Sequence, residues 1–592
     1  MVKQATESFR RMRPLNPRLA GIMPFSIFFY NWSGVTSFEQ MKAKPALEQL
    51  GLSYQPVLLS WELWTPQVYA GTKVRVIAHV INDGEDGNLL ANAVLVFQLE
   101  GSFGRTRCQG TVPLPPVPYY ETRSQPFDLE LPAELPTGEY RLTGSINTAG
   151  TRPIRPGTAK SRLELERPLP SVVATNFAGL FIADAGWRKR PPRTEFPVHL
   201  YDPPGNTAEA LARAGVRFKR ILDLAPWPEA MSALVIGEGV WDKALSSQKE
   251  QLRRFVRDGG RVLCLRPDPE NFERDWLPEE ITFLSGSANA PDYPPRSRPF
   301  AEQMNVNPER PDHPVFAGLD RPRLALWSDY TGWDQTRPGF PRLYPVTAGF
   351  KLTKTEALAR TAVLADYDRG LEGVALCEMF DGKGSVLLSG FDLDNRAGLD
   401  PVADRLLANL VAYTVSKQGH FAHPLIEQPI RWGDYPTERG LVCGSLNGLI
   451  VNCEWLAPPT NPSAAPQPPN TGSWNMLPGE QFAPRGRNPF GPYGYTTGSS
   501  LRNLDRESQT GSGVFWARIA RGKTTMVTKV RNPAASAGQL SIEINGQSAT
   551  KPVTVPAGQT VESRSPLLPA TTEVSVRYTG TKSLVLEETQ FK

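Results

Sequence analysis

Residues 233–265, ALVIGEGVWDKALSSQKEQLRRFVRDGGRVLCL, decide the fold of the middle of the chain. Two short apolar runs bound this stretch, and each is typical of a buried parallel strand. Between them, the S-x-x-E spacing at Ser247 predicts a capping box that begins a helix through Val256, and the glycine pair 259–260 predicts its end. A strand, a helix and a strand at this spacing predict a βαβ unit and a doubly wound sheet.

Downstream of this unit, the sequence predicts a hairpin and a helix. VALCEMF and SVLLSGF flank the turn residues 381–384, DGKG, as the two arms of a β-hairpin. Asp400 followed by Pro401 is typical of a helix start. The apolar positions that follow predict one buried helix face, formed by Val402, Leu406, Leu407, Leu410 and Tyr413.

Both flanks of the α/β region alternate apolar and polar residues, as β-strands do. Between 57 and 165, six such runs are separated by turn formers such as Asn82-Asp83-Gly84, which predicts an immunoglobulin-like β-sandwich. From Ser512 onward the alternation returns and predicts a second sandwich. Residues 457–470, APPTNPSAAPQPPN, predict an extended linker or exposed loop.

Length and charge narrow the class of protein. The chain has 592 residues, which exceeds the roughly 250 to 300 residues that one core supports, so several domains are expected. It has 65 basic and 60 acidic residues without a long basic run, so nucleic-acid binding is not expected. The apolar run Leu19–Tyr30 is too short to span a bilayer, which takes roughly 20 residues. We expect no membrane partner and a cytoplasmic location by default, or a periplasmic or secreted one if a segment precedes the chain; a signal peptide is the alternative interpretation of that run.

Five cysteines stand without a C-x-x-C motif, which argues weakly against a disulfide framework. The turn signal Asn447-Gly448 predicts a hairpin that sets Cys443 and Cys453 on opposite faces, so no bridge between them is expected.

The N-terminal sequence carries a family resemblance. RMRPLNPRLAGIMPF (11–25) and KPALEQLGLSYQPVLLSWELWTPQVYAGTKVRVIAHVINDGED (44–86) resemble the end of the catalytic (β/α)8 barrel, and the sandwich after it, of family 2 glycoside hydrolases, the β-galactosidase and β-mannosidase group. Residues 17–32 would then be the last strand of a TIM barrel whose other strands precede this chain. The later order resembles the glutamine-amidotransferase-like domain of several β-galactosidases and a carbohydrate-binding module.

The resemblance implies a multidomain α/β plus all-β protein with five segments. They are a terminal βα unit of a glycosidase barrel (1–52), an immunoglobulin-like sandwich (53–168), an amidotransferase-like α/β domain (169–438), a connecting hairpin and Pro-rich linker (439–511), and a carbohydrate-binding-like sandwich (512–592).

The catalytic groups of the family are not found in the sequence. Retaining glycosidases use two carboxyl groups, and the family's acid/base is the Glu of an Asn-Glu pair. No Asn-Glu dipeptide occurs in the chain, so no catalytic residue is assigned. Cys264 lies in a strand of the kind that carries an amidotransferase nucleophile, but it lacks flanking glycines, and a packed thiol is favoured.

No metal or cofactor is expected either. The run Asp392–Asp400 fails the spacing of a calcium loop, and Asp400 is needed as a helix cap. The five histidines show no metal spacing, and Gly237-Glu-Gly239 lacks the third glycine of a dinucleotide fingerprint.

Aromatic residues remain as candidates for sugar binding. The loop after a last barrel strand faces the substrate, so Phe28, Tyr30, Asn31 and Trp32 are the candidate substrate-binding residues, with packing at the barrel rim as the alternative. A second aromatic cluster, 327–333, favours core packing or an interface over a sugar groove.

These observations predict a C-terminal, non-catalytic part of a β-galactosidase-like glycoside hydrolase that contributes carbohydrate binding and domain scaffolding. Its expected partners are an oligo- or polysaccharide and an upstream catalytic barrel fragment or further copies of the chain. The alternative is a stand-alone carbohydrate-binding or surface interaction protein without hydrolase activity.

Overall fold

The structure is a computed structural model. It describes residues 2–13, 45–84, 86–101, 104–149, 170–188, 197–225, 227, 231–284, 306–320, 322–325, 327–328, 345–353, 355–367, 373–423, 425–426, 430–431, 451–453, 510–519, 525–568, 573–581 and 584–592. The chain forms two compact units. Unit 1 comprises Met1–Arg190, Trp327–Leu343 and Gly398–Asp404, and unit 2 comprises Pro191–Leu326, Tyr344–Ala397 and Arg405–Lys592. The protein is β-rich and multidomain.

Unit 1 is built mainly from strands. Its elements are helices α1 (Val2–Met12), α2 (Pro45–Ser53) and α3 (Ala185–Arg188) and strands β1 (Val57–Glu62), β2 (Gln67–Tyr69), β3 (Lys73–Asn82), β4 (Ala93–Glu100), β5 (Thr106–Pro113), β6 (Thr122–Glu130), β7 (Gly138–Ala149) and β8 (Pro170–Ala183).

These strands form a two-sheet β-sandwich. One sheet has the order β1-β3-β6, and the other has the order β2-β8-β7-β4-β5. One buried cluster draws Leu59 and Val76 from the first sheet and Leu95 and Leu142 from the second, so the two sheets enclose a common core. The predicted sandwich is therefore confirmed, while its immunoglobulin-like type stays a prediction.

Strand β8 extends the sandwich beyond the expected boundary at residue 168. It pairs with β7 along most of its length, from Gly138↔Ile182 to Ala149↔Pro170. Its apolar residues resemble the start of an α/β region in sequence, but their partners are sandwich strands.

Helix α1 is fixed to the sandwich through buried polar side chains. Glu7 is buried, and its two carboxylate oxygens accept hydrogen bonds from Ser60 Oγ at 2.8 Å and Asn176 Nδ2 at 2.9 Å. Arg10 donates to the carbonyl of Ser53 at 2.6 Å and to Asp83 Oδ2 at 2.8 Å. The Asn-Asp-Gly turn predicted from the sequence thus also supplies the carboxylate that binds the N-terminal helix.

Unit 2 begins with an α/β region. Its elements are β9 (His199–Tyr201), α4 (Asn206–Arg213), β10 (Lys219–Ile221), β11 (Ala233–Ile236), α5 (Lys243–Ser247), α6 (Lys249–Arg257), β12 (Arg261–Leu265), β13 (Ile281–Phe283), β14 (Val306–Pro308), β15 (Phe350–Leu352), β16 (Thr361–Tyr367), β17 (Gly373–Asp381), β18 (Gly384–Ser389) and α7 (Pro401–Thr414), whose first turn belongs to unit 1.

The centre of this sheet is parallel, as the βαβ pattern predicts. The order is β10-β9-β11-β12-β18, each parallel to its neighbour, and β17, β15 and β13 continue the sheet antiparallel. Alternate residues such as Leu234, Ile236, Val262 and Cys264 face one core with Leu252 of α6. Their neighbours Val235 and Leu263 are also fully buried, so the central strands are covered on both faces.

The capping box predicted at Ser247 is wrong, although the structure has a helix, α6, where the sequence predicts one. Ser247 ends α5 and its hydroxyl donates to the carbonyl of Ala244 at 2.8 Å. The side-chain cap belongs to Asp242, whose Oδ1 accepts the N–H of Leu245 at 3.0 Å. Two short helices therefore replace the single predicted one, because Asp242 begins a helix before the S-x-x-E motif.

The predicted helix end and hairpin are both confirmed. Gly259 has a φ of 116°, and the Gly260 N–H donates to the carbonyl of Phe255 at 2.8 Å, as in a Schellman cap. In the hairpin, Asp381 pairs with Gly384 across a two-residue turn. Gly382 has a φ of 61°, and a Cβ there would lie 2.4 Å from the carbonyl oxygen of Arg257, so only glycine fits.

Helix α7 also begins where the sequence predicts. Asp400 Oδ1 accepts the N–H groups of Val402 at 2.8 Å and Ala403 at 3.2 Å. The predicted inner-face residues are all buried.

The C-terminal part of unit 2 is a second β-sandwich. Its strands are β19 (Leu425–Ile426), β20 (Ile430–Arg431), β21 (Val451–Cys453), β22 (Thr510–Ile519), β23 (Met526–Arg531), β24 (Gly538–Ile544), β25 (Gln547–Ser548), β26 (Val553–Val555), β27 (Thr560–Arg564), β28 (Glu573–Thr581) and β29 (Val585–Phe591). One sheet runs β19-β22-β28-β24-β25, with β21 on β22 and β26 on β24, and the other runs β20-β29-β23-β27. A common core takes Ile542 and Val576 from the first sheet and Val530 and Leu586 from the second.

Several predictions lie outside the described residues. They concern the barrel strand at 17–32, the strand at 161–166, the hairpin turn at Asn447-Gly448 and the linker at 457–470. Within the described part of the chain, no helix is both long and apolar enough to cross a membrane.

Candidate functional site

The parallel sheet of unit 2 has a switch point between β9 and β11. From β9 the chain moves to β10 on one side and then returns to β11 on the other. Loops that leave the carboxyl ends of two such strands diverge, which opens a crevice where α/β proteins bind ligands. Asp202 directly follows β9, and Glu238 lies two residues after β11, so both residues stand at this point.

Asp202 fills the N-terminus of helix α4. Its Oδ2 accepts the N–H of Ala208 at 2.8 Å, and the N-cap residue Gly205 supplies no side-chain cap. The N-terminus of a helix favours a negative charge, and an internal carboxylate already provides it here. A phosphate group would meet that carboxylate rather than free N–H groups, so the geometry disfavours a nucleotide.

Thr207, on helix α4, contacts both the segment after β11 and the segment after β18. Its hydroxyl donates to Asp394 Oδ2 at 2.5 Å and accepts the backbone N–H of Glu238 at 2.9 Å. A Cβ on Gly237 would lie 2.9 Å from this hydroxyl and 3.0 Å from Asp202 Oδ1. The glycine therefore allows the backbone after β11 to approach both side chains.

Glu238 is buried and ties the loop after β18 to the sheet. Its Oε1 accepts the backbone N–H groups of Leu393 at 2.5 Å and Asp394 at 3.1 Å, and its Oε2 accepts Arg266 Nε at 2.9 Å. Burial, and then the nearby charge of Asp394, raise the pKa of Glu238 to about 8. Every hydrogen-bonding oxygen of Glu238 is thus engaged by the protein.

Arg266 is the most accessible member of the cluster and is half-buried, with 31% of its side chain accessible. It directly follows β12, has a φ of 21°, and lies 3.7 Å from Asp392 Oδ1 as well as bonding Glu238. A positive φ is rare for a residue with a side chain and marks backbone strain at this turn. Asp392 is also bound by Arg396 at 2.5 Å.

Two carboxylate oxygens at this edge of the sheet are buried and have no hydrogen-bond partner among the described residues. They are Asp202 Oδ1 and Asp394 Oδ1, on side chains that are 1% and 7% exposed. Burial, and then the charge of Asp202, raise the pKa of Asp394 to about 6, against the lowering effect of the Thr207 hydrogen bond. The site is therefore rich in hydrogen-bond acceptors and short of donors.

A metal ion does not fit this arrangement. Within the described residues, no group of three or more His, Cys, Asp or Glu side chains is arranged to hold a metal. The donors that the cluster lacks would have to come from a ligand with hydroxyl groups or from protons.

The sugar-binding residues expected from the sequence stay a prediction. Phe28, Tyr30, Asn31 and Trp32 lie outside the described residues. In the second aromatic cluster, Trp327 is fully buried, which agrees with the core packing that was favoured for it, and the residues from 329 to 333 lie outside the described part.

Cys264 is a packed thiol, as predicted. It is 1% exposed and belongs to the core under α6, and burial raises its pKa far above the usual value. The residue at the strained turn after β12 is Arg266 rather than a nucleophile.

Comparisons with known proteins give weak likenesses. No protein-family model and no curated protein matches the sequence. The chain is similar to an exo-β-1,4-mannosidase from Opitutaceae bacterium strain TAV5, at 16% identity and a TM-score of 0.20, over 33% of this chain and 32% of that one. It is similar to a cycloisomaltooligosaccharide glucanotransferase from Paenibacillus sp., at 10% identity and a TM-score of 0.19, over 90% of this chain and 71% of that one.

A third likeness is to the carbohydrate-binding module CBM36 in complex with calcium and xylotriose, at 8% identity and a TM-score of 0.12, over 14% of this chain and 76% of the module. At such low identities and TM-scores, these likenesses carry no argument about the fold or function of this chain. Membership of a glycoside hydrolase family therefore stays a prediction.

Sequence analysis missed the cluster because it tested each motif alone. Gly237-Glu-Gly239 fails as a nucleotide fingerprint and Asp392–Asp400 fails as a calcium loop. The positions of these residues at the ends of strands would have indicated the site. Glu238 and Arg266 each follow a predicted parallel strand, and Asp392 follows a predicted hairpin arm that pairs parallel with β12. The carboxyl ends of parallel strands meet at one edge of the sheet.

Proposed function

We propose that this chain is a carbohydrate-binding and scaffolding part of a β-galactosidase-like glycoside hydrolase and carries no catalytic carboxylate pair of its own. The succession of a sandwich, a parallel-sheet α/β region and a second sandwich supports this proposal. In it, residues 1–52 are the terminal βα unit of a TIM barrel, and the α/β region is an amidotransferase-like domain that acts as a scaffold.

The chemistry of the carboxyl edge carries the proposal. Arg266 presents a partly accessible donor, and behind it Asp202 and Asp394 hold buried acceptor oxygens without a hydrogen-bond partner among the described residues. A saccharide offers both hydroxyl donors and lone pairs, whereas a phosphate ligand would be repelled by the carboxylates. Arg266 is the first contact for a sugar, and Glu238 and Asp392 beneath it fix the direction of its guanidinium group.

The same contacts support a binding role rather than hydrolysis. Glu238 uses both oxygens to hold protein groups and Asp392 is paired with Arg396, so neither is placed as a free general acid or base. Cys264 lies in the core and supplies no nucleophile.

One observation favours the alternative, a stand-alone carbohydrate-binding or surface interaction protein. Helix α1 satisfies its buried Glu7 and Arg10 within this chain, through Ser60, Asn176 and Asp83. A helix bound in this way does not depend on an upstream barrel. The gene immediately upstream separates the two cases, because a catalytic barrel without its last strand favours the first and an unrelated neighbour favours the second.

Titration calorimetry of the full chain with β-linked galacto-, manno- and gluco-oligosaccharides tests the binding site. We expect one series to bind, and Arg266→Ala to weaken that binding at least tenfold, about 1.4 kcal/mol. Arg253→Ala is the matched control, because Arg253 has the same exposed fraction, 31%, and lies on α6 away from the cluster. Binding that Arg266→Ala leaves unchanged, or no binding in any series, would contradict the proposal.

Chromogenic aryl β-galactosides, β-mannosides and β-glucuronides test the second half of the proposal. The purified chain should release no chromophore over hours at several pH values. Turnover by protein made in a host without its own glycosidases would require a carboxylate pair elsewhere in the chain.

A further inference from the structure

Three side chains form a hydrogen-bonded series at the amino edge of the same sheet. Ser416 Oγ lies 3.4 Å from His420 Nε2, and His420 Nδ1 lies 2.5 Å from Glu378 Oε1. A hydroxyl, an imidazole and a carboxylate in this order are the arrangement by which hydrolases activate a serine. Apo enzymes often hold the serine at a longer distance than 3.2 Å, so 3.4 Å is within the expected reach.

Glu378 fixes the orientation of the imidazole. The carboxylate accepts the Nδ1–H of His420, which leaves Nε2 as the acceptor that faces Ser416. The Glu378 carboxylate is itself held by Ser385 Oγ at 2.5 Å and Tyr413 OH at 2.6 Å. The Tyr413 ring stacks on the His420 ring at 4.0 Å, so the imidazole is fixed both by its edge and by its face.

The backbone positions the serine. Helix α7 ends at Thr414, and Ser416 follows in the chain segment that turns back toward His420. Arg261, the first residue of β12, donates hydrogen bonds to the carbonyls of Ser416 and, at 3.3 Å, Gln418. Ser416 is half-buried, while only 6% of the His420 side chain is exposed. A reacting carbonyl must therefore approach from the Ser416 side, which suits a small acyl group.

We propose that Ser416, His420 and Glu378 form a catalytic triad that hydrolyses esters of small acyl groups. Ser416 Oγ bonds to the ester carbonyl carbon while its proton passes to His420 Nε2. The bond from that carbon to the leaving oxygen breaks, and His420 returns the proton to this oxygen. Water then attacks the acyl-serine with the same proton route and releases the carboxylic acid.

Ser416 and His420 are the catalytic residues in this proposal. Glu378, Tyr413 and Ser385 are positioning residues, because they act through the imidazole. The site lies at the opposite end of the parallel strands from Asp202 and Glu238, since Arg261 begins β12 and Arg266 follows its end. An esterase result is thus independent of the sugar-binding result at the carboxyl edge.

A fluorophosphonate probe on the full chain tests the triad. The probe forms a phosphonyl-serine with loss of fluoride, and peptide mass spectrometry locates the label. We expect stoichiometric labelling of Ser416 and burst kinetics with p-nitrophenyl acetate. His420→Gln should slow the labelling at least 100-fold, the lower end of the usual contribution of a general base.

The variants separate a catalytic role from a structural one. Ser416→Ala changes a half-buried side chain at a helix end and should keep the melting temperature of the wild type while it loses both the label and the burst. Ser247→Ala removes an exposed serine that has no imidazole bonded to it, and should change neither. Absence of label on Ser416, equal labelling in His420→Gln, or a burst that survives Ser416→Ala would overturn the proposal.

Discussion

Glu238 and Glu378 are buried in the same α/β region, yet their surroundings shift their pKa values in opposite directions. Glu238, at the carboxyl edge, has Asp394 and Asp392 as neighbours, and burial together with Asp394 raises its pKa to about 8. Burial also acts to raise the pKa of Glu378, but the hydrogen bond and charge of His420, with the hydroxyls of Ser385 and Tyr413, hold it below its usual value.

The difference shows that burial alone does not decide the charge of a carboxyl group. Both carboxylates accept three or more hydrogen bonds, so the number of donors does not separate them. In addition to burial, the carboxylates that lie near Glu238 raise its pKa, whereas His420 lies beside Glu378. The amino edge is therefore a satisfied network that should be costly to break. The carboxyl edge holds surplus negative charge, so removal of one charge there should change the free energy of unfolding little or should increase it.

The largest expected effect is at the amino edge. Glu378→Ala leaves His420, Tyr413 and Ser385 without their common acceptor in the core. Breaking a buried pair on one side costs about 3–5 kcal/mol, so we expect a loss of that size in the free energy of unfolding, measured by urea titration. Glu250→Ala, on the exposed face of α6, is the control and should change stability by less than about 0.5 kcal/mol. Equal effects of the two variants would contradict the comparison.

A smaller change removes one donor from the same carboxylate. Tyr413→Phe deletes the hydroxyl that donates to Glu378 Oε2 at 2.6 Å and keeps the ring that stacks on His420. Hydrogen bonds to charged groups contribute about 1.5–3 kcal/mol, so we expect a loss of about 2 kcal/mol in the same titration. Tyr119→Phe is the matched control, because Tyr119 is exposed. No loss in Tyr413→Phe would contradict a charged Glu378 that is stabilised by this hydroxyl.

The third prediction uses pH to examine the carboxyl edge. Because the pKa of Glu238 rises from near 4.5 to about 8 on folding, the folded state holds a proton that the unfolded state releases between these values. Stability from this group is present at low pH and is lost as the pH rises toward 8. Between pH 6.5 and 8 the contribution of Glu238 to the free energy of unfolding should fall by about 1.5 kcal/mol, measured as the difference between wild type and Glu238→Gln.

Other shifted groups also contribute in this window. Burial lowers the pKa of His313 and of His423 to about 4, so the unfolded chain still releases protons from them above pH 6.5, and each raises the free energy of unfolding by about 0.4 kcal/mol up to pH 8. Asp394, with a pKa of about 6, changes mainly below the window. Glu238→Gln cannot titrate at this position and keeps the contribution of the histidines, so the difference in slope between wild type and variant isolates Glu238. A slope that is the same in wild type and Glu238→Gln would show that Glu238 stays ionised in the folded protein.

Among the described elements, the sequence predicted many of the long strands and helices α6 and α7, but few of the short strands and little of the site. The alternation of apolar and polar residues predicted the long sandwich strands, and the apolar runs predicted β11 and β12. Burial on one face of a strand requires alternate apolar residues, and burial on both faces requires a continuous apolar run. Strand β5 was missed because its residues are largely exposed, and β8 because its pairing with β7 is a long-range contact. The capping box at Ser247 failed because a neighbouring cap, Asp242, begins the helix earlier.

The two buried glutamates could not be told apart in the sequence. Glu238 stands between two glycines, and Glu378 stands inside an apolar strand, which without its partners predicts an unfavourable buried charge. Their partners come from distant positions, such as Asp394 for one and His420 for the other. Contacts between such distant positions depend on the topology. From the sequence, only the position of Glu238 after a predicted strand could be recognised.

The substitution with the smallest expected effect tests the comparison of the two edges most directly, because it removes a buried charge from the carboxyl edge. Asp202→Asn keeps an oxygen that can accept the N–H of Ala208 at the start of α4, and it replaces the unpartnered Oδ1, beside Asp394, by an uncharged group. Since the charge of Asp202 raises the pKa of Asp394, that pKa should fall in the variant. The free energy of unfolding at pH 7 should change by less than about 1 kcal/mol, in contrast to the loss at Glu378, because relief of repulsion offsets the weaker helix cap. A loss above about 2 kcal/mol would mean that the Asp202 charge is matched by a cation or donor at the carboxyl edge, and the surplus of negative charge inferred for that edge would have to be withdrawn.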